Sequence, residues 1–147
     1  VESDDEDTGA IGEVGKLTPN QPDQSTWFTA ELRNSYDDPV VIMKPVGSAG
    51  DQPAHIRLKN VQGDSFEYKV EEWSHTNDGH KEVDVYYIVL EAGTHELDDR
   101  MTVEAGTESI NHEFSTIGLA GDYSDTPVAF TQSHASAREI NFIYTRG

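Results

Sequence analysis

Residues 66–71 read FEYKVE, with apolar and charged side chains in strict alternation. A period of two is the mark of a half-buried antiparallel strand, because successive side chains leave opposite faces of the backbone. No stretch of the 147 residues shows a helical period to compete with it. Strand-like runs at 26–33, 39–46, 54–61, 65–73 and 83–91 are separated by turn formers. These are Asp37-Asp38-Pro39, the Gly/Pro-containing stretch 47–53, Gln62-Gly63-Asp64 and Asn77-Asp78-Gly79. VDVYYIVLE, over 83–91, is apolar on both faces, which predicts a central or doubly covered strand. The pattern predicts an all-β, antiparallel β-sandwich.

The chain also repeats itself. WFTAELRNSYDDPVV (27–41) aligns with FSTIGLAGDYSDTPV (114–128). Trp27 meets Phe114, Leu32 meets Leu119, Tyr36 meets Tyr123, and Pro39 meets Pro127 after one inserted residue. Three segments follow: an acidic, flexible N-terminal segment over 1–11, a complete sandwich repeat over 12–93, and a partial second repeat over 94–147. Gly9 to Gly15 is expected to extend the flexibility of the acidic start. The second copy starts near Met101 and runs for roughly half a repeat, leaving the last strand and its stripe of Ile140, Phe142 and Tyr144 without a following partner. That half-repeat packs on the first copy, exchanges strands with a neighbouring molecule, or belongs to a longer parent.

Charge narrows the partners. Asp and Glu number 28 against 10 Lys plus Arg, a formal net charge of −18. Such a surface repels phosphate backbones and anionic lipid heads, which argues against nucleic acid and membrane partners. The acidity serves either ordinary solubility or life at high salt, where screening makes self-repulsion cheap. The few lysines favour the second. With no cysteine there is no disulfide framework and no thiolate chemistry. No apolar run is long enough to span a bilayer as a helix, and a start at Val1 fits a processed precursor.

Several stretches resemble the H-type lectin module, a small six-stranded β-sandwich. They are the aromatic-led strand at 28–33, PVV at 39–41, RLKNV at 57–61, Phe66 seven residues before Trp73, and the closing VYYIVLE at 85–91. EEWSHTNDGHKEVDVYYIVLEAG over 71–93 is also similar to repeats of large secreted surface proteins of bacteria and halophilic archaea. The lectin resemblance implies a trimer that binds N-acetylgalactosamine-like sugars between protomers. Family members often carry a sugar-binding His after the tryptophan, where this chain has Ser74. The family's basic sugar contact falls near Pro53 rather than Arg57.

The candidate ligand-binding residues are Arg57, Trp73, His75 and His80. An indole beside polar donors and carboxylates suits saccharides, since the apolar sugar face stacks while its hydroxyls hydrogen-bond. The same residues also fit a packed tryptophan with histidines capping a hairpin. Neighbouring Glu71 and Glu72 do not make a glycosidase pair, because adjacent strand residues face apart. The histidines lack HExxH spacing. Ca2+ is the more plausible cation, near Asp37-Asp38, Asp98-Asp99 or Asp122 and Asp125, although no EF-hand loop is present. The Tyr36 and Tyr123 turns read as anchors of β-arches. No GxSxG, P-loop or GxGxxG motif occurs.

The sequence therefore predicts a non-catalytic module, extracellular or on a cell or virion surface, for carbohydrate recognition or adhesion. The alternative is a structural subunit of a filament, cell-surface layer or viral appendage, assembled by strand exchange through Ile140, Phe142 and Tyr144. Both readings expect self-association, as a trimer or a filament.

Overall fold

A computed structural model describes residues 9–46, 54–72, 81–98, 101–121, 123, 125–135 and 139–146. The strands are β1 (Gly12–Leu17), β2 (Phe28–Glu31), β3 (Pro39–Val46), β4 (Ala54–Lys59), β5 (Ser65–Glu72), β6 (Asp84–Glu91), β7 (Gly93–Asp98), β8 (Met101–Ser109), β9 (Val128–Ser133) and β10 (Glu139–Arg146). All strand pairs within the sheets are antiparallel. The all-β expectation holds, and each run read from the sequence contains an observed strand, with 39–46 matched over its full length.

The first six strands form two three-stranded sheets, β1-β6-β3 and β2-β5-β4. Their facing sides meet in one core. β3 and β6 supply Val41, Met43, Val85, Tyr87 and Val89, and β2, β4 and β5 supply Ala30, Ile56, Leu58, Phe66, Tyr68 and Val70. The alternation of β5 is realised as read: Phe66, Tyr68 and Val70 are buried, while Glu67, Lys69 and Glu71 are on the other face. β6 is the central strand of its sheet, and its second face is partly used as well.

One expectation fails at the start. The sequence predicts flexibility over Gly9 to Gly15, yet Gly12–Leu17 is a strand paired along its length with β6. The reason lies in Gly15, which stands opposite Tyr87 in the pairing. A Cβ at Gly15 would run into the Tyr87 ring, so the glycine makes room for an aromatic side chain lying across β1. At the other end, Gly93 has φ of 123° where the chain leaves β6 for β7, a conformation that favours glycine.

The remaining four strands form the sheet β7-β8-β10-β9. Val103, Ala105 and Ile143 pack on Val40 and Ile42, the outward side of β3. The last strand is thus not left open. β10 is paired with β8 on one side and β9 on the other, and Phe142 is only 7% exposed. The four-stranded sheet also covers two edges of the first sandwich. Asn141 donates through Nδ2 to the Val41 carbonyl at 2.9 Å, and Gln132 donates to the Ile56 carbonyl at 3.1 Å. The Ala135 N–H reaches the Leu58 carbonyl at 2.7 Å.

The repeat is visible in atomic detail. Glu13 on β1 is buried and its carboxylate accepts from the Arg33 and Asn34 backbone N–H groups, both at 3.0 Å, and from Tyr36 Oη at 3.3 Å. Glu104 on β8 is buried and accepts from the Ala120 and Gly121 N–H groups at 2.8 and 3.1 Å and from Tyr123 Oη at 3.1 Å. Gly15 and Met43 flank Tyr87 in the pairing of the first unit, as Gly106 and Thr131 flank Phe142 in the second. So β8, β9 and β10 repeat β1, β3 and β6. The sequence predicts a second copy that runs out half-way, but what it lacks relative to the first is internal. The β4–β5 hairpin lies between β3 and β6, whereas only residues 134–138 separate β9 from β10.

Candidate functional site

The outer face of the β2-β5-β4 sheet carries an unusual set of side chains for so acidic a chain. Antiparallel register sets Lys59 opposite Glu67, Arg57 opposite Lys69, and His55 opposite Glu71. Glu71 is the hub. Arg57 Nε donates to its Oε2 at 2.5 Å, Lys69 Nζ lies 3.0 Å from Oε1, and His55 Nε2 lies 2.9 Å from Oε2. Partial burial raises the Glu71 carboxyl, but hydrogen bonds from Arg57 and Lys69 outweigh it and hold the group down to about 2.

Trp27, just ahead of β2, extends this face. Lys59 Nζ lies 4.1 Å from the centre of the Trp27 ring system, and Lys69 Nζ lies 5.2 Å from it, both within cation–π range. The loop before Trp27 is held rigidly. Buried Gln21 donates to the carbonyls of Asp23 (2.6 Å) and Thr26 (2.8 Å) and accepts from the Val70 N–H (2.9 Å). Asp23 Oδ1 accepts from the Ser25 and Thr26 N–H groups at 2.7 and 2.9 Å. Hydrogen bonds from the Ser25 side chain and backbone, with that from the Thr26 side chain, lower the Asp23 carboxyl to about 2. Lys69 is tied in too, through Nζ to the Gln24 carbonyl at 2.8 Å.

The face thus presents a half-buried indole, guanidinium and ammonium donors, and carboxylate acceptors on a rigid sheet. Arg57, Lys59 and Lys69 meet as many outward carboxylates in Glu31, Glu67 and Glu71, so the face is close to neutral. That contrasts with −18 for the whole chain.

Of the residues named from sequence, Arg57 lies on this face, while Trp73, His75 and His80 lie outside the described residues. Ile140, Phe142 and Tyr144 share one face of β10 in the four-stranded sheet, with the Phe142 and Tyr144 ring centres 5.1 Å apart. Sequence reasoning missed Trp27 as a site residue, treating it only as an anchor of the repeat. It also passed over His55, Lys59 and Lys69. The signal was present: these basic residues occupy the outward positions of strands whose inward positions are apolar. Among the described residues no group of three or more His, Asp or Glu side chains is arranged to hold a metal. The Asp37-Asp38 turn is anchored instead by Glu91, which accepts from both N–H groups at 2.9 and 2.6 Å. No helix among the described residues is long and apolar enough to cross a membrane.

No family model matches the chain, and no solved structure gives a significant match. The chain is similar to halomucin of Haloquadratum walsbyi, with 40% identity over 125 aligned positions that cover 79% of this chain. It spans 1% of the length of that protein.

Proposed function

We propose that this chain is a non-catalytic extracellular surface module that binds carbohydrate on the outer face of the β2-β5-β4 sheet. The observation that carries the reading is Trp27, held by a hydrogen-bonded loop within cation–π range of two ammonium groups, on the sheet that carries the Arg57–Glu71–His55 cluster. A sugar ring stacks on an indole in place of a lysine ammonium, while guanidinium and carboxylate groups address its hydroxyls. A face near neutrality offers glycans a landing place that the acidic remainder of the chain does not. The likeness to halomucin supports the surface-module part of the reading and, with the acidity, a working environment of high salt. The six-stranded first sandwich is compatible with the H-type lectin resemblance, although the face proposed here does not depend on a trimer.

The test is a glycan array in molar KCl with the wild-type chain, Trp27→Ala and Arg57→Ala. Wild type is expected to bind. Trp27→Ala is expected to weaken binding by about tenfold or more, in line with the loss of one stacking aromatic. Circular dichroism should show both variants folded. A blank array, or binding that neither substitution changes, would sink the proposal.

A further inference from the structure

The internal duplication exposes a gap. In the first unit β2 pairs with β5, Phe28 opposite Tyr68 and Ala30 opposite Phe66. The chain just beyond is held by the same hairpin, with the Leu32 N–H on the Asp64 carbonyl and the Tyr36 N–H on the Gly63 carbonyl, each at 2.8 Å. By the alignment anchored at Trp27/Phe114, Leu32/Leu119 and Tyr36/Tyr123, the counterpart of β2 is residues 115–118. That counterpart is fixed at its C-terminal side through Ala120 and Gly121 on Glu104, as the first unit is through Arg33 and Asn34 on Glu13. But the second unit has no β4–β5 hairpin. Among the described residues no strand pairs with 114–119, and Phe114, the counterpart of half-buried Trp27, stands fully exposed.

This open edge lacks the usual protection. Exposed strand edges are ordinarily guarded by charges, proline or bulges. Residues 114–121 read FSTIGLAG, without a charge or a proline, in a chain that is 26% charged. We propose that residues 114–119 form a self-association edge, through which two copies of the chain pair antiparallel about a two-fold axis. The first unit supplies the template, since β2 itself takes an antiparallel neighbour on this side. Charge selects the occupant. A strand of the β5 kind would bring Glu67, Lys69 and Glu71 with it, whereas a second copy of 114–119 brings none. Register fits as well: the two-fold axis of an antiparallel pair sets one residue opposite its own copy, and an axis at Ile117 sets the two Ile117 side chains opposite each other, an apolar cross-strand pair. The result is a closed, isologous dimer made by strand addition. It replaces the last strand with this segment as the place of assembly, and it stands apart from the carbohydrate reading.

Light scattering after size exclusion, in molar KCl across a concentration series, tests this on the full chain. The expected mass is twice 16.3 kDa at the upper concentrations. Successive residues of an extended segment point their N–H groups to opposite sides. One of Thr116→Pro and Ile117→Pro should therefore lower the association constant by about tenfold or more, and Thr116→Lys should also weaken it. Because the chain has no cysteine, Ile117→Cys should cross-link with its own copy on mild oxidation faster than Thr116→Cys, whose two copies lie diagonally across the pair. Trp27→Ala should leave the mass unchanged. Monomer at every concentration, a dimer indifferent to all three edge substitutions, or cross-linking of Ile117→Cys no faster than that of Thr116→Cys would each overturn the proposal. So would a monomer that captures a synthetic peptide of residues 65–72, which would make a hairpin strand the occupant.

Discussion

Glu13 and Glu104 show how much one buried side chain can organise. Each is a buried carboxylate on a strand, and each gathers two consecutive backbone N–H groups and a tyrosine hydroxyl that would otherwise need water. Glu13 has more: Asn34 Nδ2 at 3.1 Å and Tyr87 Oη at 3.1 Å also donate to it. Burial raises the Glu13 carboxyl, but hydrogen bonds led by that from the Asn34 N–H bring it below its usual range. Tyr87 is pushed up, by burial first and then by Glu13 beside it. Glu13→Ala would strand several donors at once. The expected loss is about 3 kcal/mol or more, a fall in Tm of roughly 10 °C for a chain of this size. Glu104→Ala, with fewer donors to strand, should lose less, and thermal melts of the two variants compare them directly. Glu71 makes a separate expectation. Its folded pKa, about 2, lies below its ordinary value near 4.5. The stabilisation it contributes is therefore complete above pH 4.5 and is lost as the pH falls towards 2. Glu71→Gln should lower Tm by a constant amount between pH 5 and 7, with the difference from wild type closing below pH 4.5. A gap that persists at pH 2 would show that the ion cluster is not its source.

At the scale of elements, the strands and their inward faces were legible because alternation in the sequence is alternation in space. β5 needed nothing beyond that rule, whereas β3, buried on both faces, reads as a continuous apolar run. β1 was not legible, since its two glycines look like flexibility in a sequence and act as clearance in a sheet. The same device recurs at Gly106, where an added Cβ would lie 2.6 Å from Phe142 Cζ. Gly15→Ala and Gly106→Ala should each cost about 1–3 kcal/mol through overpacking. Shortening the ring should recover part of this, so Gly106→Ala combined with Phe142→Leu is expected to be less destabilised than the two single losses added together. The candidate site was harder to read for a related reason. Trp27, Lys59 and Lys69 come from three strands or their flanks, and only the register of β2, β5 and β4 brings them together. The repeat itself was legible from four anchors, but the pair of glutamates that explains it was not, because Glu13 and Glu104 lie outside the aligned window.

For the whole molecule, the two units are joined through a few polar contacts at the edges of β3 and β4 and a small apolar patch around Val40 and Ile42. Asn141 is central to this, being 1% exposed and accepting from Thr107 Oγ1 at 2.8 Å while it donates to Val41. Among the described residues the joint is made of hydrogen bonds and apolar contacts, not of ion pairs. The described ion pairs lie elsewhere, chiefly on the outer face of β4 and β5. Salt should therefore act on the molecule in two opposed ways. At about 1 M the Debye length falls to roughly 3 Å, which removes most of the repulsion among 28 acidic side chains and also weakens exposed pairs such as Lys16–Asp84. Exposed pairs are each worth at most about 1 kcal/mol, whereas a net charge of −18 repels throughout the fold. Repulsion should win, and Tm is expected to rise with KCl up to molar concentrations. The joint between the units should survive the same salt, so unfolding should stay a single cooperative transition in wild type. Asn141→Ala, which leaves the Val41 carbonyl and Thr107 without their partner, should lower Tm at every salt concentration and broaden or split the transition. A Tm that falls in molar KCl would mean that the ion pairs outweigh the repulsion, and that the acidity is not an adaptation to salt.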